Sequence, residues 1–265
     1  SFMNHHRSVL KSFLLSLLIV LGTVVFAQSA KREFYEIRIY TISNPAQEQG
    51  LDAYLKDAYI PAMHRQGIKT IGVFKPRSTT DDAGKKVYVF TPLKSQSQVL
   101  AITKRLDADA TYQQAGSAYI NAKFDNKPYD RFESIMLLAF SEAPQLMLPN
   151  LTEPKSDRIY ELRSYEGPTE KYYLNKVKMF NTGGEVALFK RLNFNAVFYG
   201  EVITGSHMPN LMYMTTFANQ ADRDAHWKAF VDSPEWKALT ADEQYKNNTS
   251  KNTQYFLYPA DYSDI

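Results

Sequence analysis

The sequence of 265 residues contains no cysteine. This absence excludes disulfide bonds, catalysis by a thiolate and zinc sites that need cysteine ligands. Histidine is scarce as well, and the three histidines beyond residue 27, His64, His207 and His226, have no spacing typical of a metal site. The sequence also lacks a Gly-x-Ser-x-Gly nucleophile elbow and a glycine-rich phosphate loop. We therefore expect no metal, haem or other cofactor.

A large excess of one charge is missing too. The chain has 31 basic and 28 acidic residues, and two of the basic ones, Arg7 and Lys11, precede residue 28. The remainder is close to neutral, so it offers no electrostatic footprint for nucleic acid. Without disulfides the fold depends on its core, to which 18 Tyr and 16 Phe residues can contribute.

Residues 1–27 have the layout of a signal peptide. Arg7 and Lys11 form a basic start, an apolar run of 14 residues covers positions 13–26, and Val25-Phe26-Ala27 is typical of a cleavage site. The alternative is a membrane anchor, which needs about 20 apolar residues. We expect cleavage after Ala27 and a mature protein that is exported, periplasmic or secreted, without stable membrane insertion.

One strand-like motif occurs twice. Residues 35–40 read Tyr-Glu-Ile-Arg-Ile-Tyr and residues 160–165 read Tyr-Glu-Leu-Arg-Ser-Tyr, 125 positions later. The same offset aligns residues 87–91 with residues 212–216. Two matches at one offset predict a duplicated unit.

Each half of the chain predicts the order strand, helix, strand, strand, helix, strand, which is the ferredoxin-like unit. We divide the chain into a signal peptide (1–27), a first repeat (28–140), a linker with three prolines (141–157) and a second repeat (158–265). The predicted fold class is α+β, with two antiparallel sheets that face each other. Such a chain is compatible with a homo-oligomer.

The chain resembles the NIPSNAP family, a branch of the dimeric α+β barrel superfamily, over nearly its whole mature length and most specifically from Ile159 to Leu239. The resemblance rests on the Tyr-Glu-Leu-Arg-x-Tyr opening at 160–165 and on further short matches. These are Met179-Phe180-Asn181, Gly184-Glu185, Phe198-Tyr199-Gly200-Glu201, Met208-Pro209-Asn210-Leu211, Arg223, Trp227, Phe230, Pro234 and Trp236. It implies tandem ferredoxin-like repeats that form a barrel, and it implies no particular reaction.

The duplicated strands supply the first candidate site. Side chains alternate along a strand, so one face carries Glu36, Arg38 and Tyr40 in the first copy and Glu161, Arg163 and Tyr165 in the second. We expect both faces to point between the two sheets. Two interpretations stay open: a structural network of Glu–Arg pairs, or a cavity where an arginine holds a carboxylate or enolate while a glutamate moves a proton.

The break after residue 180 supplies the second candidate. Gly183 and Gly184 precede Glu185, and free backbone amides at this helix start would bind an anion. The alternative is a helix cap at Asn181 followed by a new helix. Further ligand-binding candidates near the neighbouring hairpin are Glu201, Asn210 and Tyr213, with Met179 and Phe180 as an apolar wall.

Two classes of function fit these features, and whether the protein is an enzyme stays open. The first is an α+β barrel that binds a small molecule, which includes cofactor-free oxygenases and isomerases. The second is a non-catalytic module that binds other proteins. A polar-lined cavity of about 300 Å³ or more would favour the first class, whereas a filled interior with an exposed apolar patch would favour the second.

Overall fold

The computed structural model describes residues 30–265. The predicted signal peptide, residues 1–27, lies outside the described residues. Within the described part of the chain, none of the helices combines the length and the apolar character that a membrane crossing requires.

The first half contains four strands and the helices between them. The strands are β1 (Phe34–Thr41), β2 (Gly72–Pro76), β3 (Lys86–Leu93) and β4 (Arg131–Ala139). The helices are α1 (Pro45–Tyr54), α2 (Ile60–Arg65), α3 (Gln98–Ala108), α4 (Ala110–Ala115) and α5 (Ser117–Ile120), and one π-helical turn (Leu55–Tyr59) joins α1 to α2.

The second half follows the same order of elements. Its strands are β5 (Ile159–Glu166), β6 (Phe198–Thr204), β7 (Asn210–Phe217) and β8 (Lys251–Pro259). Its helices are α6 (Glu170–Phe180), α7 (Glu185–Arg191), α8 (Gln220–Asp232) and α9 (Pro234–Ala241), followed by a short 3₁₀ turn (Glu243–Tyr245). Local sequence sets the helix starts: the side chains of Asn44, Asn219 and Ser233 each accept a hydrogen bond from a backbone amide of the first turn.

The strands close into a barrel with the order β1-β3-β2-β8-β5-β7-β6-β4. Every pairing is antiparallel, and the two halves join where β2 pairs with β8 and where β4 pairs with β6. The predicted α+β class with two facing ferredoxin-like sheets is confirmed, and the sheets also pair at both edges. One chain therefore supplies both sheets of a barrel without a free edge.

The barrel interior is filled by apolar side chains from both halves. Tyr35 and Ile37 of β1 and Tyr160 and Leu162 of β5 pack there in one continuous cluster that contains no helix residue. The helices cover the outside of each sheet, where Tyr40 and Tyr213 belong to two separate clusters.

This arrangement corrects one prediction. The faces that carry Glu36, Arg38 and Tyr40, and Glu161, Arg163 and Tyr165, were expected between the two sheets, and they point outward to the helices instead. The physical reason is the closure of the barrel. Its interior has no helix that could bring a polar partner, whereas the helix layer brings charged and aromatic partners to the outer face.

Candidate functional site

A cleft of about 570 Å³ lies between the outer face of the second-half sheet and its helices. We call it the second-half cleft. Strand β5 contributes Arg163 and Tyr165, and the helices contribute Lys176, Glu185, Arg223, Trp227, Phe230, Val231 and Trp236, with Thr249 and Asn252 at the rim. Charged and aromatic side chains thus converge at this cleft, whereas the cluster inside the barrel is apolar.

The floor of the cleft is organised by Glu161, which is fully buried. Arg163 on the same strand donates from Nε at 2.7 Å, and Arg223 on α8 donates from Nε at 2.8 Å. The indole N–H of Trp227 completes the set at 2.9 Å. Burial favours the neutral acid, but the hydrogen bond from Arg223 and the two guanidinium charges outweigh it and hold the pKa of Glu161 below its usual value.

Arg163 is held on several sides. Its guanidinium carbon lies 3.7 Å from the centre of the Trp227 ring, a cation–π contact. Its Nη1 donates to the Tyr165 hydroxyl at 3.1 Å, and that hydroxyl is 2.8 Å from the hydroxyl of Tyr213. Burial raises the pKa of Tyr213 well above its usual value, so this phenol stays neutral. The result is a rigid cationic wall rather than a mobile surface arginine.

A second ion pair, Lys176 with Glu185, lines the cleft. The Lys176 ammonium is 2.9 Å from Oε2 of Glu185, and their side chains are 8% and 2% exposed. The other close partner of the ammonium is the thioether of Met179 at 3.3 Å, which is a weak acceptor. Aromatic rings surround it, with the centre of Phe180 at 4.8 Å and that of Trp236 at 5.5 Å. Within the described part of the chain the ammonium therefore has one strong acceptor, the Glu185 carboxylate.

Local structure explains how these two residues meet. Lys176 lies on the buried stripe of α6, between Tyr173 and Phe180. Gly184 adopts a φ of +96° immediately before α7, a conformation that glycine tolerates best. The chain can therefore turn sharply between the helices and return Glu185 to the side of Lys176. Burial raises the pKa of Glu185 above its usual value, although the charge and hydrogen bond of Lys176 oppose the shift.

The charges at the cleft do not cancel once half-buried Arg223 is counted with the buried groups. Three cations, Arg163, Arg223 and Lys176, face two carboxylates, Glu161 and Glu185. A further contact of Arg223 is to Asp224, whose side chain is 58% exposed and is screened by water and salt. The second-half cleft therefore has one positive charge in excess, which favours an anion or a strongly polarised oxygen.

Five of the residues singled out in the sequence meet at this cleft. Arg163, Tyr165 and Glu185 line it, while Glu161 and Tyr213 hold the lining residues from behind. In this half the Glu161–Arg163 pair forms the structural network of the first interpretation, and Arg163 also lines a cavity. The proton-transfer role of the second interpretation stays a prediction.

The first copy of the motif has no comparable cavity. Arg38 donates to Glu36 at 3.2 Å, and Tyr40 joins a tyrosine cluster in which the rings of Tyr54 and Tyr119 stack at 3.6 Å. At the offset of 125, the positions of Lys176, Glu185, Arg223 and Trp227 correspond to Leu51, Ile60, Gln98 and Ile102. Apolar and neutral side chains therefore stand where the second half has charged and aromatic ones. Glu36, Arg38 and Tyr40 belong to the first half and do not line the second-half cleft.

The remaining candidates have other partners. Asn181 ends α6, and its Oδ1 accepts from the backbone amide of Glu142 at 3.0 Å. Glu201 forms an ion pair with Arg32. Asn210 lies at one mouth of the barrel, where its Nδ2 donates to Ser164 at 3.0 Å. The predicted polar pocket of Glu201, Asn210 and Tyr213 is therefore wrong. Alternation along β7 puts Asn210 on the opposite side of the barrel wall from Tyr213, and Glu201 is bound to Arg32.

The predicted anion site at Gly183 and Gly184 is also wrong. The amide of Gly183 donates to the carbonyl of Lys178 at 2.9 Å, and the amide of Gly184 donates to the carbonyl of Asn181 at 3.1 Å. Both donors are used to close the last turn of α6, so the alternative interpretation, a helix end at Asn181 followed by a new helix, is confirmed.

Lys176 was not predicted as a site residue, and Arg223, Trp227 and Trp236 were noted only for the family resemblance. A sequence signal existed for Lys176, since a lysine between Tyr173 and Phe180 on an apolar helix stripe must find a buried partner. Among residues 30–265, His, Asp and Glu side chains form no group of three that could hold a metal ion.

Comparisons with known proteins agree with this fold. Residues 160–264 match the NIPSNAP family model, and no curated protein matches the chain. A monooxygenase candidate from Lactobacillus acidophilus NCFM is 11% identical with a TM-score of 0.57, over 89% of this chain and 95% of that one. A monooxygenase candidate from Fusobacterium nucleatum is 8% identical with a TM-score of 0.56, over 87% and 93%.

An anthrone oxidase-like protein is 9% identical with a TM-score of 0.51, over 88% of this chain and 93% of that one. At such identities the likeness shows the fold alone. It extends over nearly the whole described barrel, and the chemistry has to be argued from the cleft itself.

Proposed function

We propose that this chain is a NIPSNAP-family protein that binds a small, flat organic molecule with a carbonyl or carboxylate group in the second-half cleft. The observation that carries the proposal is the Lys176–Glu185 pair, which is buried among aromatic rings and lines a cavity of about 570 Å³. Binding pockets of small ligands usually measure about 300–1,000 Å³ and combine apolar walls with a few polar groups.

The shape of the cleft favours a planar ligand. Trp227, Trp236 and Phe230 belong to its lining, and the ring centres of Phe230 and Trp236 are 4.7 Å apart. Aromatic walls gain most from a ligand that offers a flat apolar face. The barrel interior is filled, so the cavity that would favour a small-molecule function lies outside the barrel, under the helices.

The polar groups favour an oxygen acceptor on that ligand. Among residues 30–265, Glu185 is the one strong acceptor of the Lys176 ammonium, and the charges at the cleft leave one positive charge in excess. A ligand carbonyl or carboxylate would satisfy both. Charge-assisted hydrogen bonds of this kind are about twice as strong as neutral ones.

The same pair supports a reaction class. Glu185, with a pKa raised by burial, is a base suited to removing a proton from a carbon next to a carbonyl. Lys176 would stabilise the negative charge that develops on the carbonyl oxygen. Isomerisation by proton transfer and cofactor-free oxygenation both begin with this step, so we propose an enzyme of one of these types.

A ligand screen tests the binding proposal. The mature protein would be heated with benzoates, hydroxybenzaldehydes and aliphatic dicarboxylates, since a ligand at 100 times its Kd raises stability by about 2.7 kcal/mol. We expect the aromatic acids and carbonyl compounds to raise the Tm of the wild type and of Phe124→Ser, a control at a side chain that is 95% exposed. They should raise it much less in Trp236→Leu, and equal shifts in all three proteins would contradict the proposal.

We also propose that the protein is an exported bacterial member of the family. The basic start, the apolar run of 13–26 and the Val-x-Ala site ending at Ala27 support this. A homo-oligomer remains a prediction from the sequence.

A further inference from the structure

We infer that Lys176 is a nucleophile that forms an imine with an aldehyde or ketone bound in the second-half cleft. The inference rests on the proposed binding function and names its substrate class. The geometry points to it because one buried amine, its proton acceptor and a space for the carbonyl lie together.

Lys176 differs from the other lysines near it on the same helix. Lys178, two residues further along α6, is exposed and approaches the side-chain oxygen of Gln244 at 3.4 Å. Lys176 is 7% exposed and lines the cleft. A desolvated amine among apolar groups is the usual setting of a lysine that attacks carbonyl compounds.

Glu185 supplies the proton transfers. Its Oε2 is 2.9 Å from the Lys176 nitrogen, within the distance over which a proton moves directly. No other carboxylate among the described residues contacts this nitrogen, and Arg163 of the wall is already bound to Glu161. A base whose pKa is raised takes the ammonium proton more readily than an ordinary glutamate does.

The reaction balances with the groups present. Glu185 takes a proton from the Lys176 ammonium, and the nitrogen lone pair then forms a bond with the carbonyl carbon while Glu185 returns the proton to the carbonyl oxygen. Glu185 next removes a proton from the nitrogen and gives it to the hydroxyl, which leaves as water. The products are a protonated imine, one water and Glu185 as a carboxylate, with no change in total charge.

The imine would also assist the proposed proton abstraction. A protonated imine draws electrons from the neighbouring carbon more strongly than a carbonyl does, so a proton there is more acidic. Glu185 stands at the imine nitrogen, where it would act on that carbon. The imine on Lys176 would then serve as the electron sink of a reaction that uses no cofactor.

Reductive trapping tests the inference. The folded mature protein would be incubated with benzaldehyde and sodium cyanoborohydride, and peptide mapping by mass spectrometry would measure benzylation at each lysine. We expect Lys176 to be labelled at least about tenfold faster than Lys178. Lys176→Arg should lose this fast label, while Lys178→Arg, the matched control on the same helix, should keep it.

Two further measurements separate chemistry from binding. Glu185→Gln should slow labelling at Lys176 at least about tenfold and should bind benzoate no more weakly than the wild type, because a competing carboxylate is gone. In the wild type, benzoate should protect Lys176 from benzylation and leave Lys178 unprotected. This measurement does not depend on the folding of a variant.

Labelling of Lys176 at the rate of Lys178, in a protein whose tryptophan fluorescence still responds to benzoate, would overturn the imine and leave the binding function in place. A protein that neither binds benzoate nor shows fast labelling would overturn both.

Discussion

The Lys176 ammonium lies 2.9 Å from a carboxylate oxygen of Glu185, and each of the two side chains exposes less than a tenth of its surface. The pair joins two helices that a glycine turn separates, and it lines a cavity between aromatic rings. An exposed pair of this kind adds little to stability. A buried one costs desolvation energy, and a bound oxygen acceptor would recover part of that cost.

We predict that the network around Glu161 loses more stability when the carboxylate is removed than when Arg163 is removed. Glu161→Leu removes the buried carboxylate that both Arg163 and Arg223 contact, so it should cost about 3–5 kcal/mol of unfolding free energy. Arg163→Met should cost less, about 1.5–3 kcal/mol, because Glu161 keeps charged and neutral donors. Urea unfolding of both variants measures the difference. Equal losses would mean that Arg223 and Trp227 do not compensate the carboxylate.

The two tryptophans should differ in their structural roles. Trp227→Phe loses the 2.9 Å hydrogen bond to Glu161 and weakens the contact with Arg163, and we expect a loss of about 1–3 kcal/mol. Trp236→Phe is the matched control, since Trp236 lines the same cleft and packs against Phe230. It should cost clearly less. The prediction fails if thermal unfolding ranks the two variants in the opposite order.

Acid stability should report on Glu161. Its folded pKa lies below the ordinary value of 4.5, so its stabilising contribution is complete above that pH and is lost as the pH falls through the folded pKa. Glu185 acts in the opposite direction because its pKa is raised, but it is common to wild type and variant. The unfolding free energy of the wild type should therefore fall more steeply below about pH 4.5 than that of Glu161→Gln. Parallel curves would show that Glu161 is not held as a carboxylate.

Much of the fold follows from the repeated motif, and the orientation of its faces does not. Alternation shows that Glu161, Arg163 and Tyr165 share a face, but it does not say on which side of the barrel wall that face lies. The closing of the barrel decides it, because β2 pairs with β8 and β4 with β6. These pairings join strands that are distant in sequence and have no local signal.

The location of the cleft could not be read from the motif either, because both halves carry it. The difference lies in the helices, where Arg223 and Trp227 of α8 stand at the positions of Gln98 and Ile102 of α3. The charge of Arg223, where the first half has neutral Gln98, points to a site only once α8 is known to pack on Glu161.

Export can be checked independently of the barrel. We expect N-terminal sequencing of the protein from its native host to begin at Gln28, since the cleavage site ends at Ala27. Recovery of a chain that still carries residues 13–26 in the membrane fraction would contradict this.

Tryptophan fluorescence tests the central claim most directly, because both tryptophans of the chain, Trp227 and Trp236, line the second-half cleft. Titration of the wild type with benzoate should change their emission saturably, and Lys176→Met should weaken the affinity at least about tenfold, or 1.4 kcal/mol. A ligand of the thermal screen that leaves the emission unchanged, or that binds Lys176→Met as tightly as the wild type, would contradict the placement of the site in this cleft.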